Sequence, residues 1–291
     1  RGFGANFDDN ELSAWDVSDE ERLAEYERRW QKGGLQFLAA YSDLVFDDKA
    51  NATARDFIRG KIAEQLDDKS LVEKLLPSTP VGCKRLCVDT DYYQTYNQAH
   101  VNLIDLNEVP ITRIEAGAVI AGNGPEERFE ADVIVLATGF DAMTGAVSNI
   151  EISALGRTLQ EAWRAGPKAY LGLMTEGFPN LFLVTGPGSP SVLSNMLPSI
   201  EHHVEWIADC IAHIGEHQAK QIKVEGEAQE AWVRHVNEVA ETSVYPRCNS
   251  WYLGANVEGK ERVFMPYLGV PPYVEKCADV VARGYEGFVI S

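Results

Sequence analysis

Nowhere in these 291 residues is there a G-x-G-x-x-G turn, which excludes the glycine cradle by which a strand–turn–helix unit holds a dinucleotide pyrophosphate. G-x-S-x-G is missing as well, so Ser189 and Ser191 do not mark a hydrolase nucleophile elbow. Cysteine is scarce. Cys83, Cys87, Cys210, Cys248 and Cys277 are an odd number without C-x-x-C spacing, so the spacing suggests neither a zinc site nor a disulfide framework, and thiols in a reducing cytosol are the expectation. The six histidines show no ligand spacing, and the adjacent His202 and His203 would face apart on a helix, so no metal site is expected. Basic residues are outnumbered 26 to 44, a formal net charge of −18, which repels phosphate backbones and anionic membranes and argues against either as a partner. No apolar stretch reaches membrane-spanning length and no charged-then-apolar leader opens the chain, so the expected location is the cytoplasm.

A 45% hydrophobic content is enough to build a core, and the length suits one large domain or two smaller ones. From about residue 17 to 76 the pattern is helical. Ser18 followed by Glu21 reads as a capping box, with Leu23, Tyr26 and Trp30 on one face ending at Gly33-Gly34. A second stripe runs through Phe57, Ile58, Ile62 and Leu66, and Ser70 with Glu73 repeats the start signal before Pro77. Between residues 80 and 139 short strands are expected at 85–88, 101–105, 111–114, 118–120 and 133–136, with a brief helix at 91–98 and a turn at Gly122-Asn123-Gly124-Pro125. This alternation argues for an α/β layer. A strand at 181–184 follows. Then come two amphipathic helices, one with the stripe Ile200, Val204, Ile207, Ile211 and Ile214, the other with Ala228, Trp232, His235, Val236 and Val239, and finally a helix near 274–283 and a closing strand. No internal repeat is visible.

Two segments carry most of the chemical information. Val133, Ile134, Val135 and Leu136 form a β-branched-rich run, as expected of a strand buried on both faces, that breaks into A-T-G-F-D-A-M-T-G, with Gly139 permitting close backbone approach. In open α/β sheets a nucleotide often lies at that end of a strand. The second is N-L-F-L-V-T-G-P-G-S-P-S-V-L-S-N-M, an apolar run opening into a Gly/Pro loop and then a helix, whose N-terminal N–H groups favour an electron-rich partner.

Taken with Lys84-Arg85 and N-S-W-Y-L-G-A-N (249–256), these segments resemble the Baeyer–Villiger monooxygenases over nearly the whole chain, in order and spacing. The resemblance implies FAD and NADPH as cofactors, a ketone and O2 as substrates, and an ester or lactone as product. It lacks that family's F-x-G-x-x-x-H-x-x-x-W signature, and the R-G-F-G-A-N opening resembles the middle of the family's proteins, so the chain reads as a C-terminal half that works with a missing N-terminal half. The implied fold is α/β, parts of two Rossmann-like nucleotide-binding domains plus a helical insertion: 1–79 the insertion, 80–140 the end of the NADP-binding domain, 141–291 the end of the FAD-binding domain.

By the same resemblance Arg85 is the catalytic residue, since a guanidinium keeps its charge at any working pH and can stabilise an oxygen-centred anion. Lys84 would serve the 2′-phosphate of NADPH, on the opposite face of a strand from Arg85. Thr138, Gly139, Asp141, Gly186, Asn195, Met196 and Trp251 would contact cofactor, and Ser191, Val192, Leu193, Met196 and Trp251 would bound the substrate. Thr79-Pro80-Val81-Gly82 departs from the family's aromatic Tyr-Pro-Phe-Gly run before the lysine, which bears on the aim of Arg85. Two other readings remain open: an N- or S-oxygenating flavin monooxygenase, and a non-enzymatic truncated product or a subunit that needs an N-terminal half.

Overall fold

The computed structural model describes residues 8–255, 259 and 262–291. The R-G-F-G-A-N opening and Asn256 lie outside the described residues. Helix α1 (Asp19–Lys32) starts as expected: Ser18 Oγ accepts from the Glu21 N–H and the Glu21 carboxylate accepts from the Ser18 N–H at 2.9 Å. Three acidic residues in its first turn and Arg29 and Lys32 in its last complement the helix dipole, and Gly33 stops it at φ 73°. Of the expected stripe Tyr26 is buried, whereas Leu23 is exposed.

Helix α2 (Asp48–Glu64) buries Ala50, Ala54 and Ile62. The start signal at Ser70 is displaced: Asp68 is the cap, accepting from the Ser70 N–H at 2.9 Å before a short 3-10 turn and α3 (Val72–Leu75). The brief helix α4 is Tyr92–Thr95. A three-stranded antiparallel sheet follows, β1 (Ile111–Glu115), β2 (Ala118–Ala121) and β3 (Glu127–Glu130), in the order β1-β2-β3. The Gly122–Pro125 turn joins β2 to β3, the strand that its charged sequence had concealed.

Three expected strands in this region form no ladder. Residues 85–88, 101–105 and 133–136 run irregularly, and Val133, Val135 and Leu136 are 77%, 81% and 73% exposed rather than buried. The reason is physical: β-branched composition makes a strand only where a neighbour accepts its hydrogen bonds, and among the described residues none does.

Beyond residue 140 come α5 (Gly145–Ser148), the hairpin β4 (Ser153–Ala154) and β5 (Arg157–Thr158), and α6 (Leu159–Ala162), capped by Thr158 and Glu161. The expected strand at 181–184 is reduced to a bridge between Met174 and Phe182. Then follow α7 (Met196–Glu216), β6 (Ile222–Val224), α8 (Gly226–Glu241), α9 (Val270–Ala282) and β7 (Phe288–Ile290), with β6 and β7 antiparallel. The phase of α7 differs from the aliphatic stripe. Its buried residues are Ser199, His203, Trp206 and Cys210, while Val204 and Ile211 are exposed. Aromatic and polar side chains with specific partners take the inner face. Trp206 meets Tyr285 and Phe288, and His203 Nε2 lies 2.7 Å from the Tyr273 hydroxyl.

The main core gathers α7, α8, α9, β6 and β7 around Tyr170–Met174. Trp232 stacks on Tyr267 at 5.2 Å and its Nε1 donates to the Gly188 carbonyl. A Cβ on Gly188 would lie 2.7 Å from that nitrogen, and its φ is 89°, so glycine is required there by both space and conformation. The chain divides into two compact units. One comprises the described residues of Arg1–Ala52, Thr79–Leu86 and Phe140–Ser291; the other comprises Thr53–Ser78 and Cys87–Gly139.

Candidate active site

Within the first unit, the approach to Arg85 is fixed by Asn51 on α2. Its side-chain amide donates to the Leu44 and Val81 carbonyls at 2.8 and 2.9 Å, and its oxygen accepts from the Val81 N–H at 2.8 Å. Removing this buried residue leaves three backbone groups unsatisfied, so Asn51→Ala is expected to cost about 3 kcal/mol. A denaturant titration checks it, and a loss within experimental error would show that the Val81 turn holds without Asn51. Gly82 follows at φ 85°, packed on Leu38. Next, Cys83 is joined to Cys248 across 165 residues with Cα atoms 6.3 Å apart. The expectation of unpaired thiols therefore fails at this pair. Spacing in sequence gives no signal for a bridge between segments so distant, whereas Cα separation in space does.

Lys84 and Arg85 emerge exposed from this tether. Because 85–88 is no ladder strand, the strand argument that placed them on opposite faces does not apply. Arg85 Nη2 donates to the Val192 carbonyl at 2.6 Å, and the Tyr252 phenol borders the same cavity as the guanidinium. Burial pushes the Tyr252 hydroxyl above its ordinary pKa while Arg85 pulls the other way. Tyr245, also buried, meets Tyr252 edge-to-face at 5.8 Å, and burial raises its pKa too. These residues border a cavity of ≈ 320 Å³. Leu35, Leu38, Ala39 and Leu86 supply apolar wall, and Val192, Leu193, Ser194 and Asn195 contribute further lining.

The loop before α7 is internally braced. Ser189 Oγ donates to the Gly186 carbonyl and Ser194 Oγ to the Ser191 carbonyl, both at 2.8 Å, while Asn195 caps α7 through the Leu197 N–H. Ser191 is buried with φ 43°. The structure thus brings Arg85, Val192, Leu193 and Asn195 to one cavity. Ser191, Met196 and Lys84 are not among its lining, and half-buried Trp251 packs on Tyr252 at 4.3 Å. Gly186 is packed against Gly172, where a Cβ would lie 2.6 Å from the Gly172 carbonyl. Thr138 and Gly139 are exposed in the second unit; Asp141, in the first, accepts from the Gly145 N–H through its carbonyl at 3.1 Å. Sequence reading missed Tyr245, Tyr252 and the Leu35–Ala39 wall. Tyr252 sat beside Trp251 in N-S-W-Y, but nothing in that motif said which ring faces the guanidinium.

No protein-family model matches the chain. It is 37% identical to the cyclohexanone 1,2-monooxygenase of Acinetobacter sp, over 96% of this chain and 51% of that protein. The phenazine N-monooxygenase of Lysobacter antibioticus is 38% identical, over 98% and 52%. Among solved structures, the cyclohexanone monooxygenase from Rhodococcus sp. Phi1 bound to NADP+ superposes with a TM-score of 0.93 at 37% identity, covering all of this chain and 54% of that one. The likeness to Baeyer–Villiger monooxygenases thus runs over the whole of this chain. Its α/β fold matches the C-terminal half of Baeyer–Villiger structures, and it spans about half the length of the relatives it matches. Within that family likeness the cavity has a plain chemical character: apolar walls, two buried phenols and one guanidinium, with no carboxylate or imidazole among the described residues of its lining. Such a site suits a neutral substrate whose oxygen gains negative charge during reaction.

Proposed function

We propose that this chain furnishes the substrate side of an FAD- and NADPH-dependent monooxygenase that inserts one oxygen atom of O2 beside a ketone carbonyl, giving an ester or lactone. The observation that carries this is the Arg85 guanidinium, hydrogen-bonded to the Val192 carbonyl at the edge of a cavity whose other described lining residues are uncharged. The residues fit the reacting end of the cofactors rather than their pyrophosphates: Gly186 and Gly188 are occupied by packing against Gly172 and Trp232. When bound, FAD supplies electron transfer from NADPH and reaction with O2. This chain's own contributions are then separate. Arg85 stabilises anionic oxygen, Val192 and Leu193 bound the ketone, Asn195, Met196 and Trp251 adjoin the cofactors, and Lys84 meets the extra phosphate of NADPH as a mobile point charge.

The same reading assigns 1–79 to a helical insertion, 80–140 to the NADP-binding domain and 141–291 to the FAD-binding domain; the break between compact units at Gly139 and Phe140 supports the second boundary. Thr138, Gly139 and Asp141 would lie at that junction, with Gly186 in the flavin-side loop. The exposed run at 133–136 takes its place in a sheet whose other strands lie outside this chain, which makes an N-terminal half the partner of this one.

A second reading is N-oxygenation, favoured by the phenazine N-monooxygenase among the relatives. One assay separates the two. The whole protein, supplied with NADPH and 18O2, is expected to convert cyclic or aromatic ketones to esters carrying one labelled oxygen. N-oxide from a phenazine with no ester from any ketone would replace the first reading by the second, and no labelled product from either class would overturn both.

A further inference from the structure

The Cys83–Cys248 pair joins the two segments that form the Arg85 side of the cavity. Cys83 stands between Gly82 and Lys84-Arg85, and Cys248 lies between Tyr245 and Tyr252; Gly82, Arg85, Tyr245 and Tyr252 all border the cavity. The sulfurs sit in a small apolar cluster with Val45, Val244 and Leu38, and Cys83 Sγ is 3.7 Å from the Tyr245 carbonyl. Neither 83–91 nor 248–250 belongs to a helix or strand, apart from where the Val244 N–H meets the Val45 carbonyl at 2.9 Å nearby. The covalent tie therefore carries geometry that a backbone ladder carries elsewhere. The remaining cysteines differ in kind. Burial pushes Cys210 up to about 11 and Cys277 up to about 12, which leaves both as inert thiols, and Cys87 is exposed.

We propose that Cys83 and Cys248 are a redox-operated clamp, whose disulfide holds Arg85 and Tyr252 in register around the cavity and whose reduction releases them. Closure by hydrogen peroxide balances simply. One thiolate sulfur attacks the O–O bond to give a sulfenic acid and water; the second sulfur displaces that hydroxyl as water, so two thiols and one peroxide yield one disulfide and two waters. Opening is exchange with an external dithiol, through a mixed disulfide, with the dithiol oxidised. This inference rests on the cavity's geometry and holds whichever oxygenation the cavity performs.

The purified chain is cycled between dithiothreitol and equimolar hydrogen peroxide, quenched with an alkylating agent in denaturant, and peptide-mapped. Three alkylated thiols are expected in the oxidised form, Cys87, Cys210 and Cys277, against five in the reduced form. Hydrogen exchange read on the same samples is expected to accelerate about tenfold at 82–86 and 245–253 on reduction, with α8 unchanged. Cys248→Ala should show the fast exchange in both conditions. A different bridged pair, five thiols after peroxide, or identical exchange at both segments in the two states overturns the clamp. Because the cycle needs no substitution, poor folding of Cys248→Ala leaves the decision with the unmutated chain.

Discussion

In the whole protein, Arg85→Ala is expected to lower ester formation by at least about 10²-fold, the scale set by deleting one preorganised donor to an oxyanion, while oxidation of NADPH remains measurable. The expectation follows from the division of labour around the cavity. Arg85 is the one permanent charge among the described lining residues, and the neighbouring phenols, whose pKa values burial raises, cannot replace it as a cation. Arg85→Lys should recover only part of the loss, since an ammonium is a point charge and cannot present the planar fork by which Arg85 reaches the Val192 carbonyl with N–H donors to spare. Product yield per NADPH consumed is the measurement that decides. If yield and rate in the alanine variant stay near the parent values, the charge at this position has no part in oxygen transfer.

How far these features could be read beforehand depended on whether the deciding forces were local. The Ser18 capping box and the α8 stripe through Trp232 and Val236 are set by neighbours three or four residues away, and both appear in the structure. For α7 the period was legible but the phase was not. Aliphatic residues signal the inner face only when nothing better competes, and here His203 and Trp206 have specific partners inward. Residues 133–136 show the converse limit: composition reports what a segment could bury against, not whether the neighbour is present. At the site, the motifs pointed to Arg85, Val192, Leu193 and Asn195, which share a cavity. Tyr245, Tyr252 and the Cys83–Cys248 bridge depend on contacts between segments more than 150 residues apart in the chain, for which a single sequence offers no pattern to count.

Acid should destabilise the first unit through His203 before it reaches the cavity. This imidazole is fully buried; Nδ1 accepts from the Thr185 N–H at 2.8 Å, and the Tyr273 hydroxyl 2.7 Å from Nε2 donates onward to the Leu171 carbonyl at 2.6 Å. With the Tyr273 proton committed to Leu171, Nε2 carries the ring's proton and Nδ1 has none, so the network is complete only with neutral histidine. Burial first, and the neighbouring His202 second, push the His203 pKa down to about 4. The unfolded chain, with an ordinary histidine value, therefore binds more protons between about pH 6.5 and 4, and stability falls with pH across that window. The contribution is fully present above about pH 6.5 and is lost as pH falls, reaching about 3 kcal/mol where the folded-state group itself protonates. His202, shifted in the same direction by burial, adds a smaller slope of the same sign. Denaturant titrations of the parent and of His203→Gln between pH 7.5 and 4 isolate the term, because carboxylates common to both cancel in the difference. The parent should lose the extra stability and the variant should not; parallel curves over the whole range would mean that His203 accepts a proton inside the folded core at no cost.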